Sequence, residues 1–168
     1  NLRPHVRKGA ALAICSKGIE ENSGALLSDV VAAEIPGATI AVLSGPTFAP
    51  EIARGLPAAV TLACGDAAVG QALVEAIGTP TFRPYLAGDI IGAQVGGGVK
   101  NVLAIACGIV SGRKLGDNAR AALVTRGLAE IQRLGRKLGA QPATLIGLSG
   151  LGDLVLTCTS EDRKSTRL

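Results

Sequence analysis

Apolar residues in the first half of the chain occur in short runs that end at turn-forming residues. Each run has the length of a strand and predicts a buried strand followed by a turn. The runs are residues 10–18, 38–43 and 58–65. Residues 81–88 predict a fourth strand at a sheet edge, because Pro84 has no N–H to donate to a neighbouring strand.

Helical patterns separate these strands. Residues 66–78 predict a helix that Asp66 caps and Gly78 ends. A shorter helical turn is predicted before Gly55, after the Ser-Gly-Pro break that ends the second strand. Strands that alternate with helices favour an α/β fold with a parallel sheet.

The pattern changes near Asp89, and strands are no longer predicted. Residues 89–112 predict a long apolar helix with Asp89 as its cap, and residues 117–140 predict an amphipathic helix that begins at Asp117 or Asn118. Its apolar face is formed by Leu123, Leu128, Ile131, Leu134 and Leu138. A third helix is predicted from about Ala143, interrupted by a glycine-rich stretch. We therefore expect two domains, an α/β domain over residues 1–88 and an all-α domain over residues 89–168.

Composition narrows the classes of function. Of 168 residues, 48% are hydrophobic and only 2% aromatic, so the core is built from aliphatic side chains, and nucleic-acid binding is disfavoured because few rings are present to stack on bases. The net charge of +4 is only a weak indication of an anionic partner, since Arg163, Lys164 and Arg167 supply much of it at the end of the chain. It remains compatible with a phosphorylated small molecule as partner.

Cysteine usage and hydropathy point to the cytoplasm. The sequence has four widely spaced cysteines and one histidine, a pattern that indicates neither a zinc site nor a disulfide framework. Cysteines within apolar runs are typical of a reducing compartment. We find no uninterrupted run of about 18 apolar residues, and expect no membrane span. The sequence has no methionine, and we expect it to be a fragment.

Lys100 is the most unusual residue of the long apolar helix. Gly96 and Gly97 precede it by one turn, and each costs about 1 kcal/mol relative to alanine within a helix, so a close approach by a ligand or a second backbone is expected there. Two interpretations of Lys100 remain open: it extends outward to solvent, or it is partly desolvated, which lowers its pKa into the range of an acid–base catalyst. Asn101 is either a ligand contact or a polar helix position.

Two further groups of residues are candidates for a binding site. Asp153 and Thr157 are four residues apart, so one helix face would present a carboxylate and a hydroxyl, although a helix-end carboxylate with a back-bonded threonine explains them equally well. Residues 44–49, Ser-Gly-Pro-Thr-Phe-Ala, follow a strand at the carboxyl edge of the sheet, where backbone N–H groups bind anions. Lys17 follows an earlier strand and is expected at the same edge. From these residues alone we infer a ligand cleft that contains Lys100.

The order and spacing of several motifs resemble the bacterial NAD(P)-dependent glycerol-3-phosphate dehydrogenases. The motifs are "CSKGIE", "LSGPTFAPEIARGLPAAVTLA", "DIIGAQVGGGVKNVLAIACGI", "GDNARAALVTRGLAEIQRLGRKLGA" and "GLSGLGDLVLTCTS". The resemblance implies a partial Rossmann-like parallel sheet followed by an all-α substrate domain. It also implies an oxidoreductase that interconverts dihydroxyacetone phosphate and sn-glycerol 3-phosphate with NAD or NADP, for phospholipid synthesis.

The resemblance also implies residue roles. Lys100 corresponds to the family's proton-transfer residue, and Asp153 and Thr157 are similar to substrate-site residues near it. By the same mapping the polyol phosphate contacts Lys17, Gly45 and Thr47, and the cofactor contacts Lys17 and Ala49; no metal is implied. Lys100 and Asn101 are also expected to contact the substrate. A homodimer is compatible with the helical domain. Two alternatives stay open, a related hydroxyacid or phosphogluconate-type dehydrogenase and a non-catalytic helical oligomerisation module.

Two departures from the family pattern limit what we expect of the chain. The glycine-rich turn that holds the cofactor pyrophosphate is absent from the sequence, and the family's "SRN" motif, whose arginine contacts phosphate, is replaced by Arg163, Lys164 and Ser165. Residues 162–168 look unrelated to the family. We therefore expect the 168-residue chain alone to be inactive.

Overall fold

The computed structural model describes residues 3–159. Four strands form one sheet: β1 (Ala11–Ile14), β2 (Thr39–Ser44), β3 (Ala58–Cys64) and β4 (Phe82–Ala87). Seven α-helices are described: α1 (Leu27–Glu34), α2 (Ala49–Ala53), α3 (Ala67–Ile77), α4 (Ile90–Gly112), α5 (Asp117–Leu138), α6 (Pro142–Leu145) and α7 (Asp153–Thr159). A 3₁₀ turn at Arg3–His5 and a π-helical turn at Leu148–Gly152 complete the described elements. The predicted order of strands followed by helices is confirmed.

The sheet has the order β1-β2-β3-β4 and is mixed rather than wholly parallel. β1 pairs with β2 and β3 with β4 in parallel, as predicted, but β2 and β3 are antiparallel. The reason is the length of the connection. The helix between them, α2, has five residues and rises about 7 Å, whereas a six-residue strand spans about 20 Å, so the chain does not return along the sheet before β3 begins.

The strands at the two edges differ in how well they are buried. The prediction that the first strand is buried is wrong, because within the described part of the chain β1 pairs with β2 alone and its residues alternate between exposed and half-buried. The prediction of an edge strand around Pro84 is confirmed by β4. On that edge Tyr85 is exposed, and the guanidinium carbon of Arg83 lies 5.1 Å from its ring centroid.

Helix ends follow the predicted caps with one exception. The Asp66 carboxylate accepts from the backbone N–H groups of Ala68 at 2.9 Å and Val69 at 3.0 Å, so the predicted cap of α3 is confirmed. The cap predicted at Asp117 or Asn118 is wrong. Gly116, at φ 86°, precedes the first helical residue. Only glycine adopts this backbone conformation without strain, which explains why the cap is one residue earlier.

A cluster of aliphatic residues between the helices forms the main core. It includes Val95 and Cys107 of α4, Ile131 of α5, Leu145 of α6 and Leu154 of α7. The predicted apolar face of α5 is largely confirmed, except that Leu138, at the end of the helix, is 42% exposed.

Helix α4 also packs against the sheet. Ala93, near its start, shares a buried cluster with Val42 of β2 and Ala63 of β3. The helix therefore contacts both the strands and the other helices, and the domain boundary at residue 88 stays a prediction.

Two helical stretches in the described part of the chain are long and apolar enough to cross a membrane, Ile90–Gly112 and Pro142–Thr159. This is weak evidence for a span, since the core helix of a soluble protein passes the same test. The helices of both stretches contribute residues to the main core.

Candidate active site

Lys17, Lys100 and Asp153 meet at one point, and we call them the Lys–Asp–Lys cluster. The ammonium of Lys100 donates to Oδ1 of Asp153, and the ammonium of Lys17 donates to Oδ2 of the same carboxylate. The Asp153 side chain is fully buried, that of Lys100 is 4% exposed and that of Lys17 is 25% exposed. The structure thus brings together three of the predicted site residues, from positions as far as 136 residues apart in the chain.

Three separate elements hold the cluster. Lys100 lies in the first half of α4, Asp153 is the first residue of α7, and Lys17 follows the carboxyl end of β1. The ammonium of Lys17 also reaches the carbonyl oxygen of Gly45, at 3.5 Å, just past the end of β2. Because β1 and β2 are parallel, their carboxyl ends share one edge of the sheet, as predicted.

The environment of Lys100 favours its neutral form. Burial lowers the pKa of Lys100 from 10.5 to about 8, because an ammonium loses hydration inside the protein. The Asp153 carboxylate opposes this by stabilising the ammonium, while the positive charge of Lys17 lowers the pKa further. Because its side chain is only 4% exposed, the interpretation of Lys100 as a residue that extends to solvent is wrong. A lysine with this pKa is suited to both donate and accept a proton near neutral pH.

The cluster carries an excess of positive charge. When both lysines are protonated, two ammonium groups face one carboxylate, which leaves one net positive charge. In a buried place such a charge is costly unless an anion or an electron-rich oxygen compensates it. The electrostatics therefore suit an anionic or carbonyl-bearing ligand on the accessible side, where Lys17 meets solvent.

The glycines before Lys100 allow close contacts. A Cβ on Gly96 would lie 2.5 Å from the carbonyl oxygen of Ser149, and one on Gly97 would lie 2.9 Å from Oγ of Ser44. Gly96 thus lets the π-helical turn before Asp153 pack directly on α4. The predicted close approach of a second backbone is confirmed at Gly96.

Thr157 and Asn101 lie in different environments. Thr157 is buried one turn after Asp153, and its hydroxyl donates to the Asp153 carbonyl oxygen at 2.6 Å. It is therefore back-bonded within its helix, one of the two interpretations that the sequence left open. Asn101 is exposed, and none of the hydrogen bonds that join the cluster within residues 3–159 involves it. Binding roles for both stay predictions.

The segment after β2 lies beside the cluster. Gly45 is buried and its carbonyl oxygen accepts from Lys17. Thr47 is half-buried, and Ala49 is exposed as the first residue of α2. Their predicted contacts with substrate and cofactor are untested by this geometry.

Ser44 is the first residue of the candidate segment 44–49, but sequence reasoning alone assigned its hydroxyl no role. Its hydroxyl is buried and has no hydrogen-bond partner among the described residues. It borders a cavity of about 10 Å³ that Lys17, Gln94 and Gly97 also line. The feature that could have marked this hydroxyl is the position of Ser44 in the sequence, between the end of the predicted strand and the Gly-Pro pair.

Two family models match the chain. The model described as "NAD-dependent glycerol-3-phosphate dehydrogenase N-terminus" matches residues 1–70, and its C-terminal counterpart matches residues 89–168. The chain belongs to the NAD-dependent glycerol-3-phosphate dehydrogenase family. The C-terminal match includes residues 162–168, against our expectation that this tail is unrelated to the family. Those residues lie outside the described part of the structure.

Curated relatives carry the same family name. The chain is 64% identical over 164 residues to glycerol-3-phosphate dehydrogenase of Paramagnetospirillum magneticum, covering 98% of this chain and 60% of the relative. It is also 64% identical over 159 residues to the enzyme of Rhodospirillum rubrum, covering 95% and 46% respectively. The chain thus spans about half the length of these relatives. The family assignment favours the glycerol-3-phosphate dehydrogenases over the phosphogluconate-type alternative.

Solved structures of family members share the fold. The crystal structure of glycerol-3-phosphate dehydrogenase from Coxiella burnetii matches with a TM-score of 0.94 at 46% identity, over 99% of this chain and 51% of that one. The Saccharomyces cerevisiae glycerol-3-phosphate dehydrogenase matches with a TM-score of 0.87 at 29% identity, over 98% and 50%. The predicted Rossmann-like sheet followed by helices is confirmed, with the mixed strand direction described above.

Proposed function

We propose that this protein interconverts dihydroxyacetone phosphate and sn-glycerol 3-phosphate with NAD or NADP, in the synthesis of glycerophospholipids. The observation that carries the proposal is the buried contact of Lys100 with Asp153, in a chain that belongs to this family. The reaction needs a group that exchanges one proton with the ketone oxygen. Lys100, with its pKa lowered to about 8, meets that need.

The proton chemistry follows from the state of Lys100. In the direction of reduction, its ammonium donates a proton to the ketone oxygen of the substrate, which becomes a hydroxyl. In the direction of oxidation, its neutral amine accepts the hydroxyl proton. Asp153 holds the Lys100 side chain in place through Oδ1. A substrate contact of Thr157, one turn after Asp153, is part of the proposal.

The residues of the chain fit a nicotinamide cofactor in part. A bound nicotinamide donates or accepts the hydride. Lys17 and Ala49 follow β1 and β2 at their shared carboxyl edge, the usual ligand edge of a parallel strand pair. The Ser44 hydroxyl, which has no hydrogen-bond partner within residues 3–159, borders the same small cavity as Lys17. These residues would hold one side of the cofactor and, with Gly45 and Thr47, the polyol phosphate. The sequence itself contains no glycine-rich turn for the pyrophosphate.

Two other parts of the proposal concern the whole protein. The division into an α/β domain at residues 1–88 and an all-α domain at residues 89–168 is supported by the family models, which match the chain in two parts. A cytoplasmic location and a homodimer stay proposals, and the helical oligomerisation module is a second role compatible with the enzyme.

The test is reduction of dihydroxyacetone phosphate by NADH or NADPH, measured on this chain and on the full product of its reading frame. We expect turnover from the full product and none from the chain. In the full product, Lys100→Ala should lower kcat by about 10²-fold or more, with little change in cofactor affinity. Lys137→Ala, at an exposed lysine of α5, is the control. Near-normal turnover in Lys100→Ala would show that Lys100 is structural.

A further inference from the structure

In the proposed reaction, Lys100 must be reprotonated after each reduction of the substrate. Each reduction removes one proton from its ammonium, and the amine must regain that proton before the next turnover. Its side chain is only 4% exposed, so direct contact with water is restricted. The same applies in reverse, when Lys100 must release the proton that it has gained.

The second lysine of the cluster has the access that Lys100 lacks. The Lys17 side chain is 25% exposed, and its ammonium contacts the oxygen of Asp153 that Lys100 does not use. The two lysines are therefore joined through the two oxygens of one fully buried carboxylate. We propose that Lys17 and Asp153 form a relay that carries protons between solvent and Lys100, an inference that rests on the proposed function.

The relay conserves protons and charge. After Lys100 has given its proton to the ketone oxygen, Lys17 transfers one proton to Oδ2 of Asp153 and becomes a neutral amine. A half-turn of the carboxyl group about its Cβ–Cγ bond presents that proton to the Lys100 amine, which accepts it. Asp153 is then a carboxylate again, and Lys17 takes a proton from water at its exposed side. The net transfer is one proton from water to Lys100, and oxidation of the alcohol runs the same steps backwards.

The arrangement distinguishes a relay from a purely electrostatic role. If Lys17 only supplied positive charge, arginine would preserve that charge, because guanidinium is also cationic. Arginine is not deprotonated in proteins, so it keeps the charge but does not pass a proton on. The Lys17→Arg variant thus blocks proton transfer through residue 17 and keeps a positive charge there.

The experiment measures the exchange of Lys100 ammonium protons with water by NMR on the chain with isotope-labelled lysine, without substrate or cofactor. The Lys100 signal is assigned by its loss in Lys100→Met, and the Lys100 pKa is measured in each variant. We expect Lys17→Arg to slow exchange several-fold at an unchanged Lys100 pKa, because the Lys100 side chain is only 4% exposed whereas that of Lys17 is 25% exposed. Lys137→Arg, at an exposed lysine of α5, should leave exchange unchanged.

Unchanged exchange in Lys17→Arg, at an unchanged pKa of Lys100, would overturn the relay, since protons would then reach Lys100 directly. If the arginine does not fit beside Gly45, Lys17→Gln serves instead, compared with wild type at pH values equally far from each Lys100 pKa. Because no turnover is measured, failure of the relay leaves the proposed function standing. Conversely, an inactive full product with slowed exchange in Lys17→Arg would remove the function and keep the relay.

Discussion

Gly96 of α4 lies directly against the main chain of Ser149, so that a Cβ on Gly96 would stand 2.5 Å from the Ser149 carbonyl oxygen. This contact brings the π-helical turn down onto α4, and the turn leads into Asp153. The spacing between α4 and the start of α7 therefore depends on glycine, which has no side chain, at position 96. The contact of Lys100 with Asp153 depends on the same spacing.

We expect alanine to have opposite effects at two glycines of α4. Gly96→Ala should be strongly destabilising, by about 3 kcal/mol or more, because backbone atoms must move to admit the methyl group. Gly98→Ala is the matched control, since the nearest atoms to its Cβ belong to the Gly18 backbone at 3.7 Å, and it should stabilise the helix by up to about 1 kcal/mol. Urea unfolding of both variants tests this, and equal losses of stability would contradict it.

The pKa of Lys100 predicts how stability changes with pH. The unfolded chain keeps the ordinary pKa of 10.5, whereas the folded pKa is about 8, so between these values the unfolded state binds more protons and stability rises with pH. Below about pH 8 the cost of burying the ammonium is fully present. Relative to Lys100→Met, we expect wild type to gain about 1–3 kcal/mol between about pH 7 and pH 10. The free energies of unfolding of both, with Lys137→Met as control, test this; a constant difference would contradict it.

The same pKa predicts opposite pH profiles for the two directions of the proposed reaction. Reduction requires the Lys100 ammonium, so its kcat/KM, which reports the free enzyme, should fall as pH rises above about 8. Oxidation requires the amine, so its kcat/KM should fall as pH drops below about 8. Steady-state rates of the full product, measured in both directions from below to above pH 8, test both profiles. If both directions lose activity on the same side of this pH, another group controls proton transfer.

Asp89 should matter more for stability than an ordinary helix cap. Its two carboxylate oxygens accept from the backbone N–H groups of Gly92 and Gln141, each at 2.8 Å, and so join the start of α4 to the start of α6. We expect Asp89→Ala to cost about 2–3 kcal/mol, because two buried or half-buried donors lose their partner. Asp66→Ala, an exposed cap with two acceptor contacts, should cost about 1 kcal/mol. Equal losses on thermal unfolding would show that Asp89 acts only as a cap.

Much of this site was predictable because its residues break local patterns. Lys100 interrupts an apolar helix, and Asp153 follows a glycine-rich stretch, so each was visible in its own segment. The contact of Lys17 with Asp153 joins residues 136 positions apart, and no local pattern encodes it. The direction of β3 was mispredicted for a similar reason: the apolar pattern of a strand is the same whether it runs parallel or antiparallel to its neighbour.

The scarcity of aromatic side chains has a practical consequence for spectroscopy. Tyr85 is the only tyrosine of the sequence, and there is no tryptophan. The fluorescence of a reduced dinucleotide is therefore measured with almost no fluorescence from the side chains of this chain. Titration of NADH or NADPH into this chain can be followed by emission of the nucleotide itself, with no tryptophan emission from the chain.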